Sequence, residues 1–359
     1  MSQNSVLEFS YKKRTLKFTF DAGTSRGVLR ERDVYWIKAY NPKTGIFGWG
    51  EAAPLIGLSI DFRSDFEQIL NGYLERISEI VWPADEVEVL NLIQDLIPND
   101  LPSIRFGVEM VVLDSINGGV RKYMENDLFE HSKEIPINGL IWMGSEDFML
   151  KQIKEKLGQG FTCIKMKIGA IDFQQELKLL GFIRERFDAS EITLRVDANG
   201  AFSPDDALSK LEQLAKFDLH SIEQPIMTGQ ISEMSKLCEN TPVAIALDEE
   251  LIGSKDKAQL LDEINPQYII LKPTLVGGIF QTRQWIAEAE SRNIGWWMTS
   301  ALESNIGLNA IAQLTSSFHP KIPQGLGTGQ LYHNNLRSPL DISGGKLRYR
   351  QELGWENPF

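Results

Sequence analysis

Only two cysteines, Cys163 and Cys238, occur in 359 residues. That is too few for a disulfide framework, and a reducing, cytoplasmic setting is the expectation. No apolar run reaches the roughly 18 residues that a membrane span needs. The opening residues, MSQNSVLEFSYKKR, lack an apolar core and a small-residue cleavage site, so no signal peptide is expected. Positive charge is scarce: 37 Lys and Arg stand against 49 Asp and Glu, a net charge of −12. A chain this acidic is a poor partner for a phosphate backbone, which argues against nucleic acid. There are four histidines, His131, His220, His319 and His333. No Gly-x-Gly-x-x-Gly or P-loop follows the early strands, which weakens a dinucleotide-binding reading. Low-complexity segments and internal repeats are absent too. What remains is an ordinary globular composition, 42% hydrophobic and 24% charged. The length suits one barrel of about 250 residues with a smaller companion domain.

The N-terminal part reads as strands followed by helices. Residues 9–20 alternate in part, 34–40 (VYWIKAY) form a second strand, Asn41-Pro42-Lys43-Thr44-Gly45 a turn and 47–53 a third strand. Together they predict an antiparallel meander. Phe66, Ile69, Leu70, Tyr73, Leu74 and Ile77 recur at helical spacing, and 104–116 is apolar on most sides, hence a buried helix. Beyond about residue 128, short apolar runs alternate with amphipathic stretches. Strands are predicted at 135–141, 163–168, 193–197, 221–223, 243–248, 268–272 and 296–299. Helix starts lie between them: Ser203-Pro204-Asp205-Asp206 supplies a cap, a first-turn proline and acids, and Asp172 precedes another apolar stripe. Alternation of this kind predicts βαβ units and a parallel sheet, and seven strands favour a closed barrel.

Charged residues end five successive strands. They are Lys165 and Lys167, then Asp197, Glu223, Asp248 and Lys272. Lys167 to Lys272 runs in steps of 30, 26, 25 and 24 residues, near the length of one βα unit. Barrel enzymes keep their chemistry at these C-terminal strand ends. Residues i and i+2 share a strand face, so Lys165 goes with Lys167, and Asp248 points away from Leu247. One acid at a strand end is ordinarily a turn or cap residue. Three acids in the middle, flanked by lysines on both sides, are not. Asp197, Glu223 and Asp248 aimed at one axis would repel one another unless a hard cation sat between them, and Mg²⁺ suits a few carboxylates plus substrate oxygens. Parity places Glu249 outside that set.

The pattern Lys165-x-Lys167, Asp197-Ala198-Asn199, Glu223-Gln224-Pro225, Asp248-Glu249 and Lys272-Pro273 resembles the enolase superfamily, in its muconate-lactonizing-enzyme subgroup. The resemblance spans nearly the whole chain. It implies an α/β fold, a modified TIM barrel of (β/α)7β form, with an N-terminal α+β capping domain. The expected division is 1–125 for the cap, 126–330 for the barrel and 331–359 for a segment returning to the cap. It implies metal ligands Asp197, Glu223 and Asp248, with Mg²⁺ as cofactor and Mn²⁺ able to substitute. Lys167 becomes the base, Lys165 its modulator and Lys272 a second acid/base or an electrostatic stabiliser. Asn199 is expected to support the metal site and the substrate.

Subgroup members run several reactions on this set, so loops must choose among them. Dipeptide epimerases resembling this chain carry Asp-x-Asp at the last strand, where Gly325-Leu326-Gly327-Thr328-Gly329-Gln330 has no acid. Mandelate-racemase-like members use a histidine base near the seventh strand, and none of the four histidines lies there. The stretches 272–278 and 295–305 resemble o-succinylbenzoate synthases, which dehydrate a cyclohexadiene carboxylate in menaquinone biosynthesis. N-acylamino-acid racemisation and cycloisomerisation stand as rivals, dipeptide epimerisation behind them and a non-catalytic barrel last. The expected partner is a small-molecule carboxylate, and a homo-oligomer is left open. Thr299 and Ser300 at the seventh strand are expected to contact substrate, with an apolar rim of Trp142, Met143, Trp296, Trp297 and Met298. Two capping loops, 21–27 and 55–61, are expected to close the site, the second through Leu55, Ile56 and Leu58.

Overall fold

The computed structural model describes residues 5–24 and 27–358. Strands β1 (Glu8–Thr24), β2 (Gly27–Tyr40) and β3 (Phe47–Ala52) form the antiparallel meander. The pairing of β1 with β2 runs from Glu8↔Tyr40 to Thr24↔Gly27, with an irregularity between Lys17 and Ala22. Residues 21–24 and 27 therefore belong to a long hairpin arm and not to the loop expected there; residues 25 and 26 lie outside the described residues. The continuous apolar run of β2 has a physical reason, because both faces are buried. Tyr35, Ile37 and Ala39 face one core with helices α1 (Phe66–Ile77), α2 (Glu86–Leu96) and α3 (Pro102–Ile116). Val34 and Trp36 face a second core with Leu16, Phe18, Trp142, Ile306 and Tyr332. Helix α3 is buried along nearly its whole length, as its all-round apolarity predicts. It lies so close to β3 that a Cβ on Gly50 would stand 2.3 Å from the Gly107 carbonyl oxygen.

Seven strands form one parallel sheet in chain order: β4 (Gly139–Ile141), β5 (Cys163–Lys167), β6 (Thr193–Asp197), β7 (Ser221–Glu223), β8 (Ile245–Leu247), β9 (Tyr268–Leu271) and β10 (Gly295–Met298). Each apolar run took the place predicted for it, except the first. Ile135 and Pro136 pair instead with the C-terminal hairpin Leu340–Ser343 and Lys346–Tyr349, and only 139–141 enter the sheet. Gln324 and Gly325 supply the eighth position through bridges to Ile137 and Thr299. Helices α4 (Glu146–Gly158), α5 (Phe173–Arg184), α6 (Pro204–Leu214), α7 (Ile231–Asn240), α8 (Lys257–Ile264), α9 (Gly278–Ser291) and α10 (Asn305–Ser317) cover the outside. Asp172 caps α5 by accepting from the Gln174 and Gln175 amides. Ser203 precedes α6 as predicted, although its hydroxyl donates to Asp206 and not to the helix.

Two buried carboxylates of the N-terminal part cap barrel helices. Glu51 accepts from the Ser304 amide at 2.8 Å and the Gly307 amide at 3.2 Å, at the start of α10. Glu109 accepts from the Ile279 and Phe280 amides at the start of α9. Helix N-termini favour negative charge, and these contacts tie the two sheets together. Burial nevertheless pushes the Glu109 carboxyl up to about 8, despite those donors. The C-terminal stretch also reaches the meander: the Thr19 amide donates to the Leu331 carbonyl, and the His333 amide to that of Lys17.

A carboxyl raised in the folded state holds its proton after the unfolded chain has released it near 4.5. Its contribution is complete below that pH and is lost as pH rises towards about 8. The urea midpoint of Glu109→Gln should thus fall less than that of the native chain between pH about 5 and about 8. Parallel pH profiles for the two proteins would show that Glu109 titrates normally.

Candidate active site

The parallel register sets the site. Lys167 pairs with Asp197 and Asp197 with Glu223, so three charged residues share one rung at the C-terminal sheet edge. Lys165 lies one residue pair below Lys167 on the same face, while Ile164 and Met166 join the core outside the sheet. Asp248 and Lys272 follow directly on β8 and β9. Lys165 bonds Glu223 and lies 3.1 Å from Asp197 Oδ2. Lys167 Nζ donates to Asp197 Oδ2 at 3.0 Å and to Asn199 Oδ1 at 2.7 Å. Lys272 bonds Asp248 and stands 4.0 Å from Glu223 Oε1. Asn199 adopts a left-handed backbone (φ 44°), which asparagine tolerates, and its amide nitrogen donates to Glu249 Oε1 at 3.0 Å.

Five of the six charged side chains are buried, and Lys272 is nearly so, its side chain 12% exposed. Lys167 is only 9% exposed although it ends its strand. What it faces is a cavity of about 890 Å³. Burial alone disfavours charge on Lys165, Asp197, Glu223, Asp248 and Lys272. For Asp197 the Lys165 and Lys167 ammoniums win, and its carboxyl is held far below the usual range. Lys272 likewise holds Asp248 low. Glu223 goes the other way: burial, then the neighbouring Asp197 charge, pushes it well up. Against burial, the carboxylates raise Lys165 and Lys272 above the ordinary lysine value.

As placed, no three His, Cys, Asp or Glu side chains among the described residues are arranged to hold a cation. The ammonium groups of Lys165 and Lys272 bond the same carboxylates instead. Yet the donor set suits a hard cation. Three carboxylates stand on successive strands, and Glu223 Oε1 is buried without a hydrogen-bond partner. Glu249 is turned to Asn199 and lies outside this group.

Asn199, Thr299, Ser300, Leu55, Ile56 and Leu58 all border the cavity. Ser300 donates to Glu303 at 2.5 Å, so its hydroxyl is committed. Of the expected rim, Trp142 borders the cavity, whereas Met143, Trp296, Trp297 and Met298 do not. Trp297 packs inside the barrel under the Arg195 guanidinium, 4.1 Å from the ring centroid, and Trp296 packs on Phe318. Strand parity explains the error: Trp297 does face the axis, but one level too low. No histidine borders the cavity among the described residues; His220 lies against Tyr268 and Trp297.

The sequence reading missed Phe20, Val28 and Leu29, which the hairpin arm lays over the cavity. Phe20 reads as the end of a strand, and Val28 and Leu29 lie just past the expected loop 21–27, so nothing signalled them. It also missed Gln224, whose side chain accepts from the Asp248 amide at 3.1 Å and donates to Glu250 at 3.2 Å, joining two strand ends. Its place between Glu223 and Pro225 at a strand end was the available signal.

An o-succinylbenzoate synthase of Desulfotalea psychrophila is 46% identical over 96% of this chain and 99% of its own. A crystal structure of MenC from the same organism superposes with a TM-score of 0.85, at 42% identity, covering 96% of this chain and all of that one. An L-Ala-D/L-Glu epimerase of Bacillus subtilis shares the fold at a TM-score of 0.82 and 20% identity, with 98% of each chain covered. The Enolase C-terminal domain-like family matches residues 149–355, more than half of the chain. By that match and by the near-complete alignment to its relative, this chain belongs to the enolase superfamily.

Proposed function

We infer that this chain is a carbon–oxygen lyase of menaquinone biosynthesis, which dehydrates 2-succinyl-6-hydroxy-2,4-cyclohexadiene-1-carboxylate to o-succinylbenzoate. The observation that carries this is the 46% identity, end to end, with the Desulfotalea psychrophila enzyme of that activity. The acid-free stretch 325–330 supports it, since Gly325, Gly327, Thr328 and Gln330 border the cavity and offer no carboxylate to pair with an ammonium group. The division into 1–125, 126–330 and 331–359 is proposed with it. Among the described residues no helix is long and apolar enough to cross a membrane.

Asp197, Glu223 and Asp248 are the proposed ligands of a divalent cation of the Mg²⁺ type, with Mn²⁺ able to replace it. Bound there, the cation supplies Lewis-acid stabilisation of the charge that develops on the substrate carboxylate. Lys167 takes the proton α to that carboxylate, with Lys165 beside it on the same strand face. Lys272 keeps its proton and faces the developing negative charge as a fixed cation. Protonated Lys167 then gives its proton to the departing hydroxyl on the same face. One C–H and one C–O bond break, water leaves, and the ring becomes aromatic. Leu55, Ile56 and Leu58 shield the reaction from bulk water.

The test is purified protein with Mg²⁺ on the cyclohexadiene substrate, on Ala-Glu dipeptides and on N-succinylamino acids. The ring substrate is expected to have the highest kcat/KM; failure to turn it over, or faster epimerisation of dipeptide, would sink the assignment. Chelation with EDTA should abolish turnover, and added Mg²⁺ or Mn²⁺ should restore it. Lys167→Ala should lower kcat about a thousandfold and remove deuterium exchange at the α-carbon. Lys272→Ala should cost about a hundredfold. Exchange that persists in Lys167→Ala would assign the base elsewhere.

A further inference from the structure

One uncharged residue bonds the chain at or just beyond all three strand ends that carry the proposed cation ligands. Gln224 follows Glu223 at the end of β7 and is buried. Its backbone amide donates to the Ala246 carbonyl on β8 at 2.9 Å, and its carbonyl accepts from the Gly200 amide beyond β6 at 2.6 Å. Its side chain makes four more bonds. Oε1 accepts from the Asp248 amide at 3.1 Å and the Glu250 amide at 3.4 Å, while Nε2 donates to Glu250 Oε2 at 3.2 Å and to the Ile226 carbonyl at 3.1 Å. Glu250 Oε1 in turn accepts from the Gly229 amide at 2.9 Å, closing the link back to the loop after β7.

The backbone of Gln224 is held against its preference. Its φ of 39° lies in the left-handed region, which is costly for a residue with a Cβ, and the following Pro225 favours an extended conformation instead. Such an outlier persists only where its surroundings over-determine it, and outliers of this kind cluster at functional sites. The chain beside it is fitted as closely: a Cβ on Gly200 would stand 3.0 Å from Met227 Cα. An amide is also what this position requires. The Asp248 N–H needs an acceptor and the Glu250 carboxylate needs a donor, so a single orientation of one glutamine side chain satisfies both. Glutamate would set carboxylate against carboxylate, and an apolar side chain would leave the Asp248 amide without this acceptor.

We propose that Gln224 is a positioning residue that fixes the spacing of Asp197, Glu223 and Asp248, and thereby decides which divalent cation they select. This rests on the metal-site reading given above. Mg²⁺ demands near-octahedral oxygens at about 2.0–2.1 Å, whereas Ca²⁺ accepts looser and more numerous ones at about 2.3–2.6 Å. A frame that holds three carboxylates in fixed relation favours the smaller, stricter ion. Slackening the frame forfeits that advantage even when no ligand and no charge is removed.

The experiment is calorimetric titration of magnesium chloride and, separately, of calcium chloride into the full chain stripped of metal with EDTA. Gln224→Leu keeps most of the volume and loses the four side-chain bonds. Its Kd for Mg²⁺ should rise about tenfold, as loss of a group that orients metal ligands commonly costs. Its Kd for Ca²⁺ should rise distinctly less, so the preference for Mg²⁺ over Ca²⁺ falls. Glu250→Gln tests the same frame should the leucine variant not fold. Whichever way the new amide turns, either Gln224 Nε2 or the Gly229 amide meets a second donor, and the preference should shift in the same direction. Losing the Glu250 charge alone weakens both divalent ions alike, so the ratio of the two constants reports the frame. Equal weakening of both ions would reduce Gln224 to a structural residue, and unchanged binding of both would place the control of selectivity elsewhere; each overturns the proposal. A native chain that binds neither ion would refute the metal-site reading itself and take the proposal with it.

Discussion

Three carboxylates and three ammonium groups withdrawn together from water are the constraint on which this molecule depends. Unpaired, any one of these buried charges would be strongly unfavourable. They are tolerable because the strand register brings opposite signs within bonding distance, as with Lys167 on Asp197 and Lys272 on Asp248. The arrangement favours a function over stability: a barrel mouth filled with apolar side chains would be as stable or more so. Opposed signs also leave the site responsive, because any cation or anion that enters redistributes the partners of every group.

The N-terminal part answers a second need, which is to cover this mouth. Its sheet is sandwiched between its own helices and the barrel, so residues 34–37 of β2 have no solvated face. Arg32 extends the attachment by donating to the Ala53 carbonyl at 2.7 Å and to that of Ala301. Together with Glu51 on α10 and Glu109 on α9, it ties the cover to segments that follow barrel strands. The hairpin arm and the 55–58 turn border the cavity, and these ties fasten the part that carries them to segments after β9 and β10.

Much of this was legible beforehand because it is periodic. The charged strand ends recur at one βα unit, and adjacent Asp248 and Glu249 go to different partners, Lys272 and Asn199. Where periodicity stops, the reading failed. The hairpin arm looked like a loop because Ala22-Gly23-Thr24 has weak strand propensity, yet pairing with Gly27-Val28-Leu29 holds it extended. The segment 135–141 looked like one strand because its apolar run is continuous, although it serves two sheets. Trp297 was placed at the rim because parity fixes a face and not a height along the barrel axis.

The sequence by itself determined which residues carry charge, on which strand and on which face, since those follow from local periodicity and chain order. It determined the barrel class for the same reason. The tertiary structure alone decided what each charge touches: that Lys167 bonds Asn199 as well as Asp197, and that Glu249 turns away to hold Asn199. These are contacts between residues far apart in the chain, and they exist only once seven strands have closed to a common axis, where a step of one residue in register changes every partner.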